Sequence, residues 1–209
     1  MGSSLKDTGV SIDLYKVNGV TSGFIKDDIP YIGLQGESYG LIKEFGTLLP
    51  DSDIVDLSAF ITGFSFSITY KADSDENSVI CSMGKYNGTE LITGYEIRNN
   101  KVICKVGTQD EAIVDLPVNK LLTIDLNVSK ETNADIWYFN IFIDGVCSSP
   151  IRVSSYDWKF GFPMTLGCRN NNGTLTDYSN VKIYDVKIYT SDLPDVAIVQ
   201  NYISATEQA

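Results

Sequence analysis

The absence of one residue type limits the chemistry that this chain could perform. None of the 209 residues is histidine, which excludes Ser-His-Asp and Cys-His triads and His-ligated zinc or iron sites. Carboxylate chemistry, binding of a hard cation through oxygen, or no catalysis remain. The cysteines lack the paired spacing of zinc sites, and we expect buried thiols that act as small apolar side chains. Disulfides are the alternative for these four residues, Cys81, Cys104, Cys147 and Cys168.

Two carboxylates on one strand face would indicate a glycoside hydrolase. A retaining pair needs carboxyl groups about 5–5.5 Å apart, which on a strand requires i, i+2 or i, i+4 spacing. No strand carries an E-x-D-x-x-E or E-x-D-x-E pattern. The acidic run Asp73–Glu76 falls in a polar segment between two predicted strands, and Asp125 and Asp135 stand alone. These patterns predict that the chain is not an enzyme.

The elements that must position any site are strands. Apolar and polar residues alternate in short runs separated by Gly, Asn, Asp and Ser, which is typical of a many-stranded β protein. The clearest run is Phe64–Lys71, and the pairs Asn99-Asn100 and Asp144-Gly145 predict tight hairpin turns. Pro194–Ser204 predicts one short C-terminal helix that begins near a proline. The other predicted strands are Ser78–Met83, Thr93–Arg98, Lys101–Val106, Ala112–Leu116, Leu121–Val128, Ile136–Asp144, Met164–Cys168 and Val181–Thr190.

Length and charge restrict the organisation and the partners. The chain is long enough for one sizeable domain, which we predict to be a β-sandwich over residues 31–209. Residues 1–30 are predicted to be an N-terminal arm or edge strand and a candidate docking segment. The net charge of −11 repels phosphate backbones and anionic lipid, so we expect no nucleic-acid partner. No stretch approaches the ~20 apolar residues of a membrane helix, and the start, MGSSLKDTG, does not resemble a signal peptide.

The order of the motifs resembles that of concanavalin A-like and laminin G-like domains. Five segments carry the resemblance over roughly residues 36–203: GESYGLIKEF (36–45), FSFSITYKAD (64–73), YFNIFIDGV (138–146), MTLGCRNNNG (164–173) and the closing VKIYDVKIYTSDLPDVAIVQNY (181–202). The fold that it implies is all-β: a concanavalin A-like jelly-roll sandwich of two antiparallel sheets with one short C-terminal helix.

The Tyr-rich and Asn-rich composition is also similar to that of lectin-like domains in bacteriophage tail and head-fibre proteins. This resemblance implies a non-catalytic virion module, made in the host cytoplasm without a signal peptide, whose partners are other virion proteins or sister subunits. The alternative is a lectin domain that recognises a host-surface glycan, and a glycoside hydrolase is the third reading.

A glycan site would combine an aromatic platform with planar polar groups. If the segment Asp144–Pro150 and the strand at Met164 pair as the resemblance implies, the segment around Trp158 lies near the Arg169–Tyr178 loop. The alternative, which the usual burial of tryptophan favours, is that Trp158 closes one end of the sandwich. The candidate glycan-binding residues are Tyr156, Asp157, Trp158, Arg169, Asn171 and Asp177.

No cofactor is expected, with a single calcium ion as the alternative. The metal pair of legume-type lectins needs a histidine that this chain lacks. One calcium ion needs only six to eight oxygen ligands. The residues that loop position suggests are Asp157, Asn170, Asn172 and Asp177, although the turn chemistry of Asn and Gly also explains this segment.

Overall fold

The protein is described here by a computed structural model. It describes residues 12–15, 21–24, 30–35, 37, 39–42, 55–56, 63–72, 78–106, 110–131, 136–154, 159–160, 164–171, 173–189 and 192–207. The acidic run Asp73–Glu76 lies outside these residues.

Two seven-stranded antiparallel sheets form the body of the molecule. In spatial order, the first sheet consists of β1 (Ile12–Tyr15), β4 (Tyr39–Ile42), β15 (Met164–Leu166), β7 (Val79–Asn87), β8 (Glu90–Arg98), β9 (Lys101–Val106) and β10 (Asp110–Asp115). The second sheet consists of β13 (Val146–Ser154), β12 (Ile136–Ile143), β11 (Leu121–Lys130), β6 (Gly63–Ala72), β18 (Val181–Tyr189), β3 (Pro30–Leu34) and β2 (Thr21–Phe24).

Three smaller elements complete the described chain. A long-range pair joins β5 (Val55–Asp56) to β14 (Lys159–Phe160), and a hairpin joins β16 (Arg169–Asn171) to β17 (Thr174–Thr176). One helix, α1 (Asp195–Glu207), follows β18. In the part of the chain that the structure describes, no helix is long and apolar enough to cross a bilayer. The predicted fold class, an all-β sandwich of two antiparallel sheets with one C-terminal helix, is confirmed.

The core lies between the inner faces of the two sheets, as period-two alternation requires. Phe66, Ile68 and Tyr70 of β6 are buried there with Met83 and Tyr95 of the opposite sheet. The rings of Phe66 and Tyr95 meet edge to face with centroids 6.2 Å apart, which joins the two layers directly. Burial of each such side chain contributes about 1.5–3 kcal/mol.

Three of the four cysteines are buried thiols, as predicted. Cys81 and Cys104 belong to the core, Cys168 is also buried, and Cys147 is exposed. Burial raises the pKa of the Cys104 thiol to about 12, so the thiol stays protonated and behaves as an apolar group.

Several predicted elements differ from the observed ones only at their ends. Strand β6 extends the predicted Phe64–Lys71 by one residue on each side, and Lys101–Val106 is the same in both. The predicted Met164–Cys168 ends at Leu166, because Gly167 adopts a φ of 79° and turns the chain out of the sheet. The helix begins at Asp195 and continues to Glu207, three residues beyond the predicted end at Ser204.

The described residues before Pro30 contribute one strand to each sheet. Strand β1 lies at the edge of the first sheet and pairs with β4, and β2 lies at the edge of the second sheet and pairs with β3. The boundary between a 1–30 segment and a 31–209 sandwich stays a prediction.

Candidate functional site

A polar cluster occupies the outer face of the first sheet. Tyr95 and Ile97 of β8 point into the core, so Glu96 between them points outward. Glu96 is nevertheless fully buried, with 0% exposure. The β16–β17 hairpin makes its contacts with β7 and carries Arg169 onto Glu96. Arg169 therefore replaces the water that would otherwise solvate Glu96.

Both oxygens of Glu96 are occupied. Its Oε1 accepts from Arg98 Nε and from Arg169 Nη2 (3.3 Å), and its Oε2 accepts from Arg169 Nε (2.9 Å) and from the Tyr86 hydroxyl (2.7 Å). Burial alone would raise the pKa of Glu96. The hydrogen bonds and charge of Arg169, with hydrogen bonds from Arg98 and Tyr86, outweigh burial and lower that pKa below its ordinary value of 4.5. Glu96 therefore stays ionised at neutral pH.

Arg169 is the centre of this cluster. Its side chain is 4% exposed, its Nη1 donates to Asp177 Oδ2, and its guanidinium carbon lies 5.4 Å from the centroid of the Tyr86 ring. Burial would lower the pKa of Arg169, but hydrogen bonding to Glu96 and the charges of Glu96 and Asp177 raise it. The cation is thus held between two carboxylates and against one aromatic face.

Further hydrogen bonds fix the hairpin to the sheet. The backbone N–H of Asn170 donates to Ser82 Oγ (3.0 Å), and the hydroxyls of Ser82 and Thr165 are 2.9 Å apart. The Asn171 amide donates to the carbonyl of Gly88, at the β7–β8 turn, over 2.8 Å. We call the two hairpin tips, residues 87–90 with Asn171, Gly173 and Thr174, the hairpin surface.

The β7–β8 hairpin is irregular beside Tyr86. Gly84 and Gly94 are register partners, and Gly94 has a φ of 128°, where a Cβ would lie 2.2 Å from the carbonyl oxygen of Met83. A β-bulge follows directly, opposite Lys85 and Tyr86. Beside this bulge, Tyr86, Leu91 and Ile103 form a small second apolar cluster.

The structure brings together three of the six predicted glycan-site residues. Asn171 and Asp177 are partly exposed, but Arg169 is buried and binds the carboxylates of Glu96 and Asp177. The other three, Tyr156, Asp157 and Trp158, lie outside the described residues, so the glycan site as a whole stays a prediction. The pairing of Asp144–Pro150 with the strand at Met164 is wrong, because β13 pairs with β12 in the second sheet and β15 pairs with β4 and β7 in the first.

Two of the four calcium candidates are described. The side chain of Asn170 is buried and its Oδ1 accepts from the Gly173 N–H (2.9 Å), which closes the hairpin turn. Asp177 Oδ2 accepts from Arg169 and from Thr176. Asp157 and Asn172 lie outside the described residues. Among the residues that are described, no group of three or more His, Cys, Asp or Glu side chains could hold a metal ion.

Sequence reasoning did not find Glu96 or Tyr86. Glu96 occupies an outward position on a strand, where a charged residue is ordinary, and its partner Arg169 is 73 positions away. The local signal is a glutamate between two apolar residues, Tyr95 and Ile97, with Arg98 two positions after it.

Comparison with known proteins identifies the architecture. Neither a protein-family model nor a curated protein sequence matches this chain. Solved structures do match, among them the binding domain of botulinum neurotoxin DC in complex with SialylT, at 16% identity and a TM-score of 0.57. The serotype G binding domain matches at 13% identity and a TM-score of 0.58. Botulinum neurotoxin type C, whose cell entry is described as dependent upon interaction with two ganglioside molecules, matches at 15% and 0.56.

Each of these matches covers 94% of this chain and 47% of the neighbour. The chain therefore spans about half the length of the solved structures that it resembles. At such low identity the likeness establishes the fold alone: this chain has the β-sandwich architecture found within the binding domains of botulinum neurotoxins.

Proposed function

We propose that this chain is a non-catalytic binding module and a structural component of a bacteriophage virion, in a fibre, a tail or a capsid-associated position. The proposal that the chain is non-catalytic is supported by the hydrogen bonding and the ionisation of Glu96. A glycosidase needs one carboxyl group that donates a proton and a second that acts as nucleophile or base. Glu96 can do neither, because Arg98, Arg169 and Tyr86 occupy both of its oxygens and its pKa is lowered.

The raised pKa of Asp125 does not support a catalytic reading. Burial raises this pKa to about 6, a value that would suit a general acid. However, Asp125 is only 2% exposed on the outer face of the second sheet, so a substrate cannot reach it without displacing the protein around it.

The virion assignment is supported by the resemblance to phage fibre domains and by the two edge strands near the N-terminus. Strands β1 and β2 each leave one side without a partner strand among the described residues. An open edge presents unpaired N–H and C=O groups that can pair with a strand of another chain. Sister subunits or other virion proteins are therefore the proposed partners, and the assembled virion is the proposed location.

Light scattering coupled to size-exclusion chromatography tests this assembly role on the full chain. We expect a discrete oligomer, and a 23 kDa monomer at every concentration would contradict self-assembly. Thr21→Pro and Ser22→Pro form a matched pair, because adjacent N–H groups of an antiparallel strand point to opposite sides. One of the two substitutions removes an N–H that bonds to β3 and should lower the free energy of unfolding. The other removes an N–H on the open edge and should leave that free energy unchanged, and we expect this second variant to weaken the oligomer.

A lectin that binds a host-surface glycan is the second candidate. It is supported by the amide-rich and hydroxyl-rich hairpin surface beside Asp177, and by neighbours of the same fold that are described with sialylated or ganglioside ligands. Because those neighbours are twice as long, their ligands need not be bound by the matching half.

Tryptophan fluorescence tests the glycan candidate. The chain has two tryptophans, Trp137 and Trp158, so Trp158→Ala leaves one reporter as the control. We expect a glycan titration to shift the fluorescence of the native chain, and Trp158→Ala to weaken binding. Unchanged affinity in this variant would remove Trp158 from the site.

A further inference from the structure

Helix α1 lies over the outer face of the second sheet and is held there at two points. Just before the helix, the Leu193 N–H donates to Asn127 Oδ1 (3.0 Å), and Asn127 Nδ2 donates to the Leu193 carbonyl (2.8 Å). In the second half of the helix, the ring of Tyr202 lies against Gly145, in the turn between β12 and β13. The helix also contacts β11, and it therefore covers the middle of this strand.

Asp125 is the residue of β11 that lies midway between these two points. It is two positions from Asn127 and two positions from Thr123. The Thr123 carbonyl accepts from the N–H of Asp144, which precedes Gly145, over 2.8 Å. Side chains two positions apart on a strand point to the same face, so the side chain of Asp125 points towards α1.

A helix usually covers an apolar face of a sheet, but this face is polar. Six small polar or acidic side chains of β6 and β11 are buried on it, none of them more than 5% exposed: Ser65, Ser67, Thr69, Thr123, Asp125 and Asn127. They pair by hydrogen bonds across the two strands: Ser65 with Asn127 (2.6 Å), Thr69 with Thr123 (2.9 Å), and Ser67 with Asp125. The sheet therefore offers α1 hydrogen-bonding groups more than apolar area.

Few apolar contacts hold α1 in place. Ile198 is the one described side chain of the helix that is fully buried, and Val196 and Val199 are exposed. On the sheet, Phe142 of β12 is buried as the register partner of Asp125. A helix of 13 residues is marginal in water by itself, and segments with few buried apolar contacts open more easily than the core. We therefore expect α1 to leave the sheet more readily than the core unfolds.

Two buried polar atoms at this contact have no hydrogen-bond partner among the described residues. They are Asp125 Oδ2 on the sheet and Asn201 Nδ2 on the helix. Asn201 follows Ile198 by three positions, so both lie on the same side of α1, and Asn201 Oδ1 accepts from the Tyr189 hydroxyl (3.2 Å). Unpartnered buried groups make a contact less stable. Ionisation of Asp125 increases this penalty, because a buried charge needs more compensation than a neutral carboxyl group.

The charges that face Asp125 compensate only in part for its ionisation. Lys187 of β18 favours the ionised form, but Lys187 Nζ lies 2.7 Å from Asp185 Oδ2. The negative charges of Asp185 and Asp144 oppose ionisation. Tyr95, in the core, also interacts with the charge of Asp125, but burial raises the pKa of the Tyr95 hydroxyl and keeps it neutral.

The neighbours of Asp125 on the adjacent strands and on the helix are uncharged or acidic. Its register partners are Ser67 of β6 and Phe142 of β12. The sequence of α1 contains no lysine or arginine, and the acids at the start of the helix, Asp192 and Asp195, are exposed. Closure of the helix therefore removes water from Asp125 without supplying a cation.

We propose that α1 is a pH-dependent latch over the second sheet. With Asp125 protonated the helix closes on the polar face, and with Asp125 ionised the helix leaves β11 and water solvates the carboxylate. The two sheets keep their shared core in both states, because the residues of that core lie on the inner faces. The latch is independent of the proposed function.

The pH range of the latch follows from the pKa of Asp125 in the closed state. Burial raises this pKa from 3.8 to about 6, and solvation in the open state returns it towards its ordinary value. The closed state therefore binds the proton more tightly, so its advantage is fully present below about pH 4 and is lost as the pH rises through 6. Between about pH 4 and pH 8, the equilibrium constant for closing falls roughly fifty-fold.

Hydrogen exchange followed by mass spectrometry tests the latch on the full chain. Protection factors, corrected for the intrinsic pH dependence of exchange, are measured for the amides of α1 and of β8 in the first sheet. We expect α1 to be less protected than β8 at every pH, because the helix opens without the core. We also expect the protection of α1 to fall roughly fifty-fold between about pH 4 and pH 8.

Three variants assign the fall in protection to Asp125. Asp125→Asn should hold α1 closed, with equal protection at both ends of the pH range. Glu131→Gln is the matched control, because this exposed carboxyl group lies beyond the end of β11, and it should keep the native pH dependence. Lys187→Met removes the cation that favours ionised Asp125 and should move the fall to higher pH, which keeps the test available if Asp125→Asn does not fold.

The contrary outcomes each overturn the latch. Equal protection of α1 and β8 would show that the helix opens only when the whole chain unfolds. Protection of α1 that stays constant from pH 4 to pH 8 would show that ionisation of Asp125 does not open the helix. A fall that persists in Asp125→Asn, or that Lys187→Met leaves at the same pH, would assign the pH dependence to another group.

Discussion

Glu96 and Asp125 occupy equivalent positions on the two outer faces of the sandwich, yet their pKa values shift in opposite directions. Each lies on a strand between residues that point into the core, and the exposed fractions are 0% for Glu96 and 2% for Asp125. Burial raises the pKa of either carboxyl group. For Glu96 the net result is a lowered pKa, and for Asp125 the pKa rises from 3.8 to about 6.

The partners explain the difference. Glu96 accepts four hydrogen bonds, of which three come from guanidinium groups. Asp125 receives a hydrogen bond from Ser67, and the charge of Lys187 favours its ionised form. However, Lys187 Nζ lies 2.7 Å from Asp185 Oδ2. The negative charges of Asp185 and Asp144 oppose the ionisation of Asp125. Asp125 Oδ2 has no hydrogen-bond partner among the described residues.

The cover over each face is also built differently. The first sheet is covered by a hairpin that supplies a cation. The second receives the segment before α1, where the Leu193 N–H donates to Ser65 Oγ (3.1 Å) and to Asn127 Oδ1 (3.0 Å), and the fully buried Ile198 of α1 follows. Burial therefore makes ionisation of both carboxyl groups unfavourable, and the residues of the covering segment determine whether a cation offsets that penalty.

Arg169→Met removes the cation that pairs with Glu96 and should give the largest decrease in the free energy of unfolding. It leaves Glu96 buried without its main partner, and loss of one member of a buried pair costs about 3–5 kcal/mol. Urea unfolding measures this change. The double variant Glu96→Gln/Arg169→Met should recover much of the loss because no charge remains, and a single variant within 1 kcal/mol of the native chain would contradict the buried network.

Asp125→Asn removes the uncompensated carboxyl group of the second sheet and should raise the free energy of unfolding at neutral pH. Because the folded pKa is raised, the folded state binds the proton more tightly than the unfolded state, so the contribution of Asp125 is fully present below about pH 4. It is lost as the pH rises through 6. The shift of about two pKa units corresponds to ~3 kcal/mol.

The free energy of unfolding measured from pH 4 to pH 8 tests this sign. We expect the native chain to lose stability relative to Asp125→Asn across that range, with the two curves converging at the acid end. Parallel curves would show that Asp125 ionises without penalty.

Tyr86→Phe gives the smallest of the three effects. It removes the hydroxyl that donates to Glu96 over 2.7 Å, and a hydrogen bond to a buried charge contributes about 1.5–3 kcal/mol. Tyr138→Phe is the matched control, because the Tyr138 hydroxyl donates to the exposed Glu131 over 3.1 Å. Equal losses of stability in the two variants would mean that burial adds nothing to the Glu96 cluster.

Local pattern was sufficient for most strands and turns. The alternation in Phe64–Lys71 predicted β6 because each side chain reports which face of the strand it occupies. Asn99-Asn100 and Asp144-Gly145 are both two-residue turns in the structure, with φ of 50° at Asp144 and 76° at Gly145. Strand β13 (Val146–Ser154) continues past Pro150, where the predicted segment Asp144–Pro150 ends, because a strand tolerates proline at the edge of a sheet.

The sequence by itself determined the fold class, the hairpin turns, the C-terminal helix and the exclusion of histidine chemistry, because all of these depend on residue type and short-range spacing. Only the tertiary structure decided that Arg169 is a buried partner of Glu96, and that Asp125 lies under protein without an equivalent cation. Both outcomes depend on which distant segment covers an outward-facing carboxylate. The packing of the hairpin and the helix onto the sheets decides which segment covers each carboxylate. These contacts join residues far apart in the chain, such as Glu96 and Arg169, which are 73 positions apart. The alternation of residues within a single strand carries no information about such contacts.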